Sequence, residues 1–327
     1  MPPTRSVGDV THGHPSEFRV AFFGSPDFAV PALERLHQRH RLVLVVTQPD
    51  APAGRGMRLR PPAVAKRAEE LGLPLAQPTR IRSDQAFAAR LAELRPDVAV
   101  TVAYGQILPG SLLKVPTHGF LNAHASLLPE LRGAAPIAWS LIRGDEETGI
   151  SVMETEAGLD SGPVRHVVRT SVAPDETATE LTERLSRLAA DALSQALEAL
   201  AEGRLVRTLQ DDSKATLAPR LRKEDGQVRW SDTARQVYDR WRGVLPWPGS
   251  RFQHDGRWIR IDRLERLGDP ASRGAAGEVL ATDPAGVVVA CGAGAVRLLE
   301  VTPAGKRSMP AADWARGARV GEGDRLA

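Results

Sequence analysis

Residues 18–47 read FRVAFFGSPDFAVPALERLHQRHRLVLVVT, and this stretch decides the fold class. Residues 18–23 form a continuous apolar-leaning run that stops at Gly24, 28–39 have helical character, and 42–47 are a second unbroken run. Pro31 is tolerable in the first turn of that helix, where backbone N–H groups have no intrahelical partner anyway. Strands this apolar need cover on both faces, and intervening helices supply it, so the pattern predicts parallel βαβ units. The alternation continues downstream. Residues 48–62 are a loop rich in Pro, Gly and Arg, 63–71 read as a helix closed by Gly72, and Ser83 is expected to cap another that ends before Pro96. Residues 98–102 and 120–123 are further buried strands. Thr177-Ala-Thr-Glu180 is a capping box. It opens a long helix whose Leu181, Leu185, Leu188, Ala192, Ala196 and Leu200 keep helical spacing until Gly203 stops it.

A chain of 327 residues can hold two domains with sizeable cores. At 42% hydrophobic and 25% charged it is too apolar to be disordered. A lone cysteine, Cys291, excludes a disulfide framework and a thiolate-rich zinc site, and favours a reducing cytoplasm. No apolar run approaches the roughly 18 residues of a membrane span, so no membrane association is expected. Residues 1–16 carry Pro, Gly, Thr and two His without an apolar stretch, which predicts a disordered leader instead of a signal peptide.

The net charge of +3 hides an asymmetry. Residues 1–203 hold 21 Lys and Arg against 24 Asp and Glu, whereas 204–327 hold 22 against 16 and five of the six tryptophans. Residues 204–222 read as a basic linker through Arg204, Arg207, Lys214, Arg220 and Arg222. Beyond it come a helix over 231–242 and short strands near 257–262, 287–291 and 295–301, the last two joined by Gly292-Ala293-Gly294 as a hairpin. Such a run of short strands predicts a small barrel of the OB type. The expected organisation is a leader (1–16), a Rossmann-like α/β domain with a mostly parallel sheet (17–203), a basic linker (204–222) and a smaller OB-like β-barrel domain (223–327).

The turn after the first strand, Gly24-Ser25-Pro26-Asp27-Phe28, lacks the G-x-G-x-x-G that brings backbone amides onto a pyrophosphate, which disfavours a nicotinamide dehydrogenase. The densest polar cluster follows the 120–123 strand: Asn122, His124 and Ser126, then Leu127-Leu128-Pro129 and Arg132-Gly133. Ligands of parallel α/β sheets bind outside the carboxyl ends of strands. Asn122 and His124, two apart, leave the same face of a strand. An amide and an imidazole aimed at one point suit a developing oxyanion during attack on a carbonyl; a satisfied buried histidine beside a turn-bonding asparagine is the alternative. Asp160 sits in Gly158-Leu159-Asp160-Ser161-Gly162, where glycines permit an unusual backbone path. It is either a turn residue or a carboxylate that pairs with His124 and holds its charged form. With no G-x-S-x-G nucleophile and no Cys/His metal spacing, acyl transfer without a covalent intermediate or a metal is what remains. Arg55 between Gly54 and Gly56, with Arg58 and Arg60 behind it, suits an acidic or nucleic-acid partner, or is a solvated loop. Arg240-Trp241-Arg242 and Arg257-Trp258-Ile259-Arg260 interleave cations with indoles, as nucleic-acid surfaces do, although the indoles also suit a barrel core.

Asn122-Ala-His124-Ala-Ser126-Leu127-Leu128-Pro129, with Arg132-Gly133 and Asp160, resembles the active-site signature of formyltransferases that use 10-formyltetrahydrofolate. Phe23 to Phe28, Thr47-Gln48-Pro49-Asp50, Gly54-Arg55-Gly56, Val102-Ala103-Tyr104-Gly105, Arg132 to Pro136, Trp247-Pro248 and Pro303-Ala304-Gly305-Lys306 extend the match over 18–327. They make it similar to the methionyl-tRNA formyltransferase family. The resemblance implies a Rossmann-like catalytic domain, an OB-like tRNA-binding domain, and transfer of formyl from 10-formyltetrahydrofolate to methionine on initiator tRNA. It implies Asn122, His124 and Asp160 as the catalytic trio, Ser126, Leu127, Leu128 and Pro129 as the folate-contacting segment, and Arg55 at the acceptor stem. Arg58, Arg60, Lys214, Arg220 and Arg222 are further expected tRNA contacts. No metal is expected, and a cytoplasmic monomer is. Ala51, Leu131 and Ala125 depart from the family pattern, which usually has Arg, an aromatic residue and Gly there. A small-molecule formyltransferase or deformylase, or a non-catalytic RNA-binding relative, are the competing functions.

Overall fold

The computed structural model describes residues 17–53, 58–267 and 274–327; the leader expected over 1–16 lies outside the described residues. The first half runs β1 (Arg19–Gly24), α1 (Val30–Arg39), β2 (Arg41–Val46), β3 (Ala51–Ala53), β4 (Arg58–Arg60), α2 (Ala63–Glu70), β5 (Leu75–Ala76), α3 (Gln85–Glu93), β6 (Val98–Val102), α4 (Gly110–Leu113), β7 (Phe120–His124), α5 (Pro136–Arg143), β8 (Glu147–Glu154), β9 (Val164–Ser171) and α6 (Ala178–Ala201). Seven strands form one sheet in the order β5-β2-β1-β6-β7-β8-β9. Its neighbours are parallel as far as β7, and β8 and β9 then add antiparallel.

The unbroken apolar strands are buried on both sides, as their composition requires. Val20 and Phe22 of β1 face one core with Leu33 and Leu36 of α1 and Leu181 and Leu185 of α6. Ala21 and Phe23 face the other with Phe87, Leu91 and Tyr104. Gly24 ends β1 because a Cβ there would stand 2.8 Å from the Ala29 Cβ and 2.9 Å from the Val102 carbonyl oxygen. The chain reverses its direction of strand addition between β1 and β6, which opens a crevice at their carboxyl ends.

Several expectations are corrected. The 48–62 loop contains the short antiparallel pair β3–β4. Asp84, not Ser83, caps α3: its side chain accepts from the Phe87 N–H at 2.9 Å, while Ser83 sits in a preceding 3₁₀ turn. The capping box at Thr177 and Glu180 is formed as read.

The second half contains α7 (Ala234–Gly243), β10 (Ser250–His254), β11 (Arg257–Arg266), β12 (Val279–Asp283), β13 (Gly286–Ala290), β14 (Ala295–Pro303), β15 (Met309–Pro310) and α8 (Ala311–Ala318). α7 starts later than the 231–242 reading, after Thr233, whose side chain forms a capping box with Gln236. The strands make an antiparallel sheet in the order β10-β11-β14-β13-β12, with β15 on β14. Gly292-Ala293-Gly294 does join a hairpin, Ala290 pairing with Ala295. Trp230, Trp241 and Trp314 fill the core of this half, together with Phe252, Ile261 and Leu298. Cys291 is buried there, and burial pushes its thiol up to about 12. No helix among the described residues is long and apolar enough to cross a membrane.

The two halves meet where α7 lies on α5. Gly243 allows the close crossing, since a Cβ would stand 2.8 Å from Ile142 Cγ1. Arg242 and Asp239 are both buried at this junction and paired at 2.7 Å. Arg242 Nη1 also donates to the carbonyl oxygens of Ala173 (3.2 Å) and Glu176 (3.1 Å) in the α/β half.

Candidate active site

β7 carries Asn122 and His124 to the carboxyl edge of the sheet on one face, and both line a cavity of about 780 Å³. Thr101, the register partner of Asn122 on β6, donates its hydroxyl to Asn122 Oδ1 at 3.0 Å. With its oxygen engaged, the Asn122 amide offers the cavity its NH₂, a donor. His124 is buried, and its Nε2–H donates to the Leu131 carbonyl oxygen at 2.9 Å. That bond fixes the ring and turns Nδ1 towards Asp160, whose Oδ2 is 3.7 Å away. The separation exceeds a hydrogen bond, so the pair closes only on a small shift or through an atom between them.

Asp160 arrives on the loop after β8 with φ +47°, in the left-handed region. Of its flanking glycines Gly162 is sterically required, since a Cβ there would run into the backbone carbonyl of Glu154, whereas one on Gly158 would meet only the Ser161 side chain. Asp160 Oδ2 accepts from the Gly133 N–H at 2.8 Å, which ties this loop to the one after β7. Three oxygens and nitrogens of different chemistry therefore meet at the rim of one cavity: an amide donor, an imidazole fixed through its far nitrogen, and a carboxylate. Such a set can stabilise negative charge on a carbonyl oxygen and accept a proton from an attacking amine.

The remaining expected residues are dispersed. Ser126 to Pro129 do not line the cavity. Ser126 is buried, with Oγ donating to the Glu130 carbonyl oxygen at 2.6 Å; Ser151 Oγ donates to the Ser126 carbonyl oxygen at 2.7 Å and accepts from the Leu128 N–H at 3.0 Å. Their polar atoms are consumed in a turn that ends in a cis Leu128–Pro129 bond. The cavity is walled by the loops at 103–108 and 155–160, of which 106–108 and 155–157 carry no signal in the sequence. Thr155 Oγ1 is buried there without a hydrogen-bond partner among the described residues. Ile107, Leu159 and Trp247 stand around the same cavity and are 74%, 63% and 53% exposed. Large apolar side chains left open at a cavity mark a surface that another molecule covers.

Among the expected tRNA contacts, Arg55 lies outside the described residues. Arg58 and Arg60 are on β4, Arg60 exposed. Lys214 is exposed beside Asp211 at 3.3 Å, Arg222 is exposed, and Arg220 is exposed at the cavity. Of the departures from the family pattern, Leu131 is buried with φ +58° and Ala125 lines the cavity, while Ala51 is on β3. Among the described residues no three His, Cys, Asp or Glu stand together as a metal site needs.

Comparison with known proteins fits this architecture. Residues 18–197 match the formyl transferase family and 220–319 match the formyl transferase C-terminal domain. The chain belongs to the formyl transferase family. It is 48% identical over 308 residues to the methionyl-tRNA formyltransferase of Deinococcus radiodurans, covering 94% of this chain and 95% of that protein. The enzyme of the same name from Thermus thermophilus is 47% identical, covering 94% and 99%. In fold it is similar to an N-formyltransferase from Helicobacter canadensis in complex with folinic acid and dTDP-3-aminofucose (TM-score 0.65, 11% identity, 86% of this chain and 99% of that one). It is also similar to HypX from Aquifex aeolicus in complex with tetrahydrofolic acid (TM-score 0.60, 16% identity, 93% and 48%).

Proposed function

We propose that the protein transfers a formyl group from 10-formyltetrahydrofolate to the α-amino group of methionine on initiator methionyl-tRNA, forming the N-formylated tRNA that starts translation. The observation that carries this reading is the convergence of Asn122, His124 and Asp160 on one cavity, in a chain with close relatives of that name over 94% of its length. The residues of the cavity suit a folate. A flat heterocycle with a polar edge wants apolar sides and a few hydrogen-bonding atoms; Ile107 and Leu159 supply the sides, and the unpartnered Thr155 Oγ1 is one such atom. The folate supplies the formyl group already activated for transfer.

The chain's own groups do the rest. A free α-amine titrates near ~7.7–8.0, so much of it is neutral and nucleophilic at cellular pH. As the amine nitrogen bonds to the formyl carbon, the Asn122 NH₂ and the His124 Nδ1–H donate to the carbonyl oxygen that takes up negative charge. Asp160, fixed by the Gly133 N–H, stabilises the charged ring and receives the amine's proton. That proton returns to the folate nitrogen as its bond to the formyl carbon breaks. Residues 17–203 act as the catalytic domain, 204–222 as the connector and 223–327 as the OB-like tRNA-binding domain, with Arg55, Arg58, Arg60, Lys214, Arg220 and Arg222 on phosphates. The enzyme works as a cytoplasmic monomer without a metal.

The test is to incubate the purified protein with initiator methionyl-tRNA, with and without 10-formyltetrahydrofolate, and to assay N-formylmethionine. Folate-dependent formylation is expected. Formylation of a nucleotide or amino sugar in preference to the tRNA, or no folate-dependent product at all, overturns the reading.

A further inference from the structure

The segment after α6 is stitched into the catalytic rim. Thr208 pairs with Val164 at the start of β9, and 216–218 run along the loop that follows β7: the Leu131 N–H donates to Thr216 Oγ1 (2.9 Å), the Arg132 N–H to the Thr216 carbonyl (2.9 Å), the Ala218 N–H to the Arg132 carbonyl (2.7 Å) and the Ala135 N–H to the Ala218 carbonyl (3.1 Å). Gln210 sits at the centre of this stitching. Its Nε2 donates to the carbonyl oxygens of Asp160 (2.8 Å) and Gly162 (2.7 Å). Its Oε1 accepts from Nε (3.0 Å) and Nη2 (2.8 Å) of Arg132, which is buried and also pairs with Asp212 at 2.7 Å. Both protons and both lone pairs of one amide are therefore used to bind two loops together.

We propose that Gln210 is a positioning residue for Asp160, holding the 158–162 loop so that the carboxylate faces His124. The proposal rests on the formyl-transfer reading of the trio. Asp160 has a left-handed backbone that an L-residue adopts only when its surroundings impose it. The Gly133 N–H fixes its side chain, and Gln210 holds its carbonyl together with that of Gly162, so the main chain is tied on either side of Ser161, directly after Asp160. Arg132 in turn carries the neighbouring loop, whose Leu131 carbonyl fixes the His124 ring. One side chain thus ties the loop that carries Asp160 to the loop whose Leu131 carbonyl orients His124 on β7. Misplacement by about 1 Å costs on the order of 100-fold in a positioned reaction.

Gln210→Glu tests this best. A carboxylate keeps an acceptor for Arg132 but turns an oxygen on the Asp160 and Gly162 carbonyls, so the loop is released while the Arg132 contact stays. Gln210→Ala removes both contacts. For both variants kcat is expected to fall roughly 10- to 100-fold, with KM for methionyl-tRNA within about two-fold and, for Gln210→Glu, an unfolding temperature near that of the parent. In an Asp160→Asn background either change is expected to cost less than about two-fold further, because the carboxylate it positions is already gone. Amide exchange in the folded proteins without substrates is expected to rise in 131–135 and 158–163 and to stay unchanged in α6 and β11. A kcat for Gln210→Glu within two-fold of the parent overturns the proposal. So do losses that multiply in the Asp160→Asn background, or exchange in 158–163 that does not move. The exchange measurement needs no activity, so it decides the role of Gln210 even if the parent protein fails to formylate methionyl-tRNA.

Discussion

Asn122→Ala should separate chemistry from folding. The substitution removes one donor to the reacting carbonyl oxygen, and loss of one such donor costs about 10²–10³ in turnover, about 2.7–4 kcal/mol. It also removes the acceptor of the Thr101 hydroxyl at 3.0 Å. That hydroxyl retains the Leu121 carbonyl oxygen at 3.5 Å, so the stability loss is that of one hydrogen bond, about 1 kcal/mol. A domain stable by roughly 5–15 kcal/mol stays folded after such a loss. Asn122→Asp sharpens the contrast. It keeps an oxygen for Thr101 but replaces the donor with a negative charge, so it should be the more stable variant and the slower one. The assay is single-turnover formyl transfer at saturating tRNA and folate, with tRNA affinity measured by filter binding and stability by denaturant titration. His124→Ala should lose turnover to a similar extent. Turnover within ten-fold of the parent for either alanine variant refutes the trio, and so does a loss confined to tRNA affinity.

Arg242→Ala removes the 2.7 Å partner of buried Asp239, which keeps only Arg235 at 3.5 Å, and frees the carbonyls of Ala173 and Glu176, so denaturant titration should register a destabilisation of about 3 kcal/mol. Gly162→Ala drives a Cβ onto the Glu154 carbonyl oxygen and displaces the Asp160 loop; single-turnover rates should fall by more than ~10-fold while far-ultraviolet dichroism is unchanged. Both tyrosines should resist ionisation in an ultraviolet titration. Burial, and then the hydrogen bond to Asp175, raise Tyr238 to about 12, and burial raises Tyr104 further. A phenol whose folded value lies above the ordinary ~10 contributes stability in full below pH ~10 and loses it between there and pH ~12. Alkaline unfolding should fall in that window, and tyrosinate absorbance appearing near pH 10 in the folded protein would contradict the burial of both rings.

The strands that composition made legible are those buried on both faces: β1, β2 and β6 are short, mostly apolar and rich in β-branched or aromatic residues, and β7 follows the same pattern apart from its polar Asn122 and His124. β8 and β9 carried no such signal. β8 begins at Glu147 and contains Gly149, whose absent Cβ lets the Val168 carbonyl approach, and β9 is a half-exposed edge strand. The meeting of Asn122, His124 and Asp160 was legible because an amide and an imidazole two apart at the end of a buried strand share one face, and a carboxylate between glycines sits on a loop that can reach them. Much of the cavity wall was not, since 106–108 and 155–157 are ordinary loop residues until the fold brings them to one cavity. Gln210 was hidden for another reason. A neutral amide inside a charge-rich stretch looks like solvated surface, and only the paths of two loops far away in sequence reveal its four bonds.

The lacing of 208–218 to β9 and to the loops after β7 and β8 restricts how this chain can be recombined with others. A chimera joined at the end of α6 would inherit its trio from one parent and the thread that ties it from another, so that the first parent's rim would be fastened by a foreign cord. A crossover beyond Pro219, whose carbonyl receives the Trp139 indole N–H at 2.8 Å, keeps rim and thread together. The natural seam for exchanging the C-terminal half therefore lies some twenty residues later than the last turn of the long helix indicates.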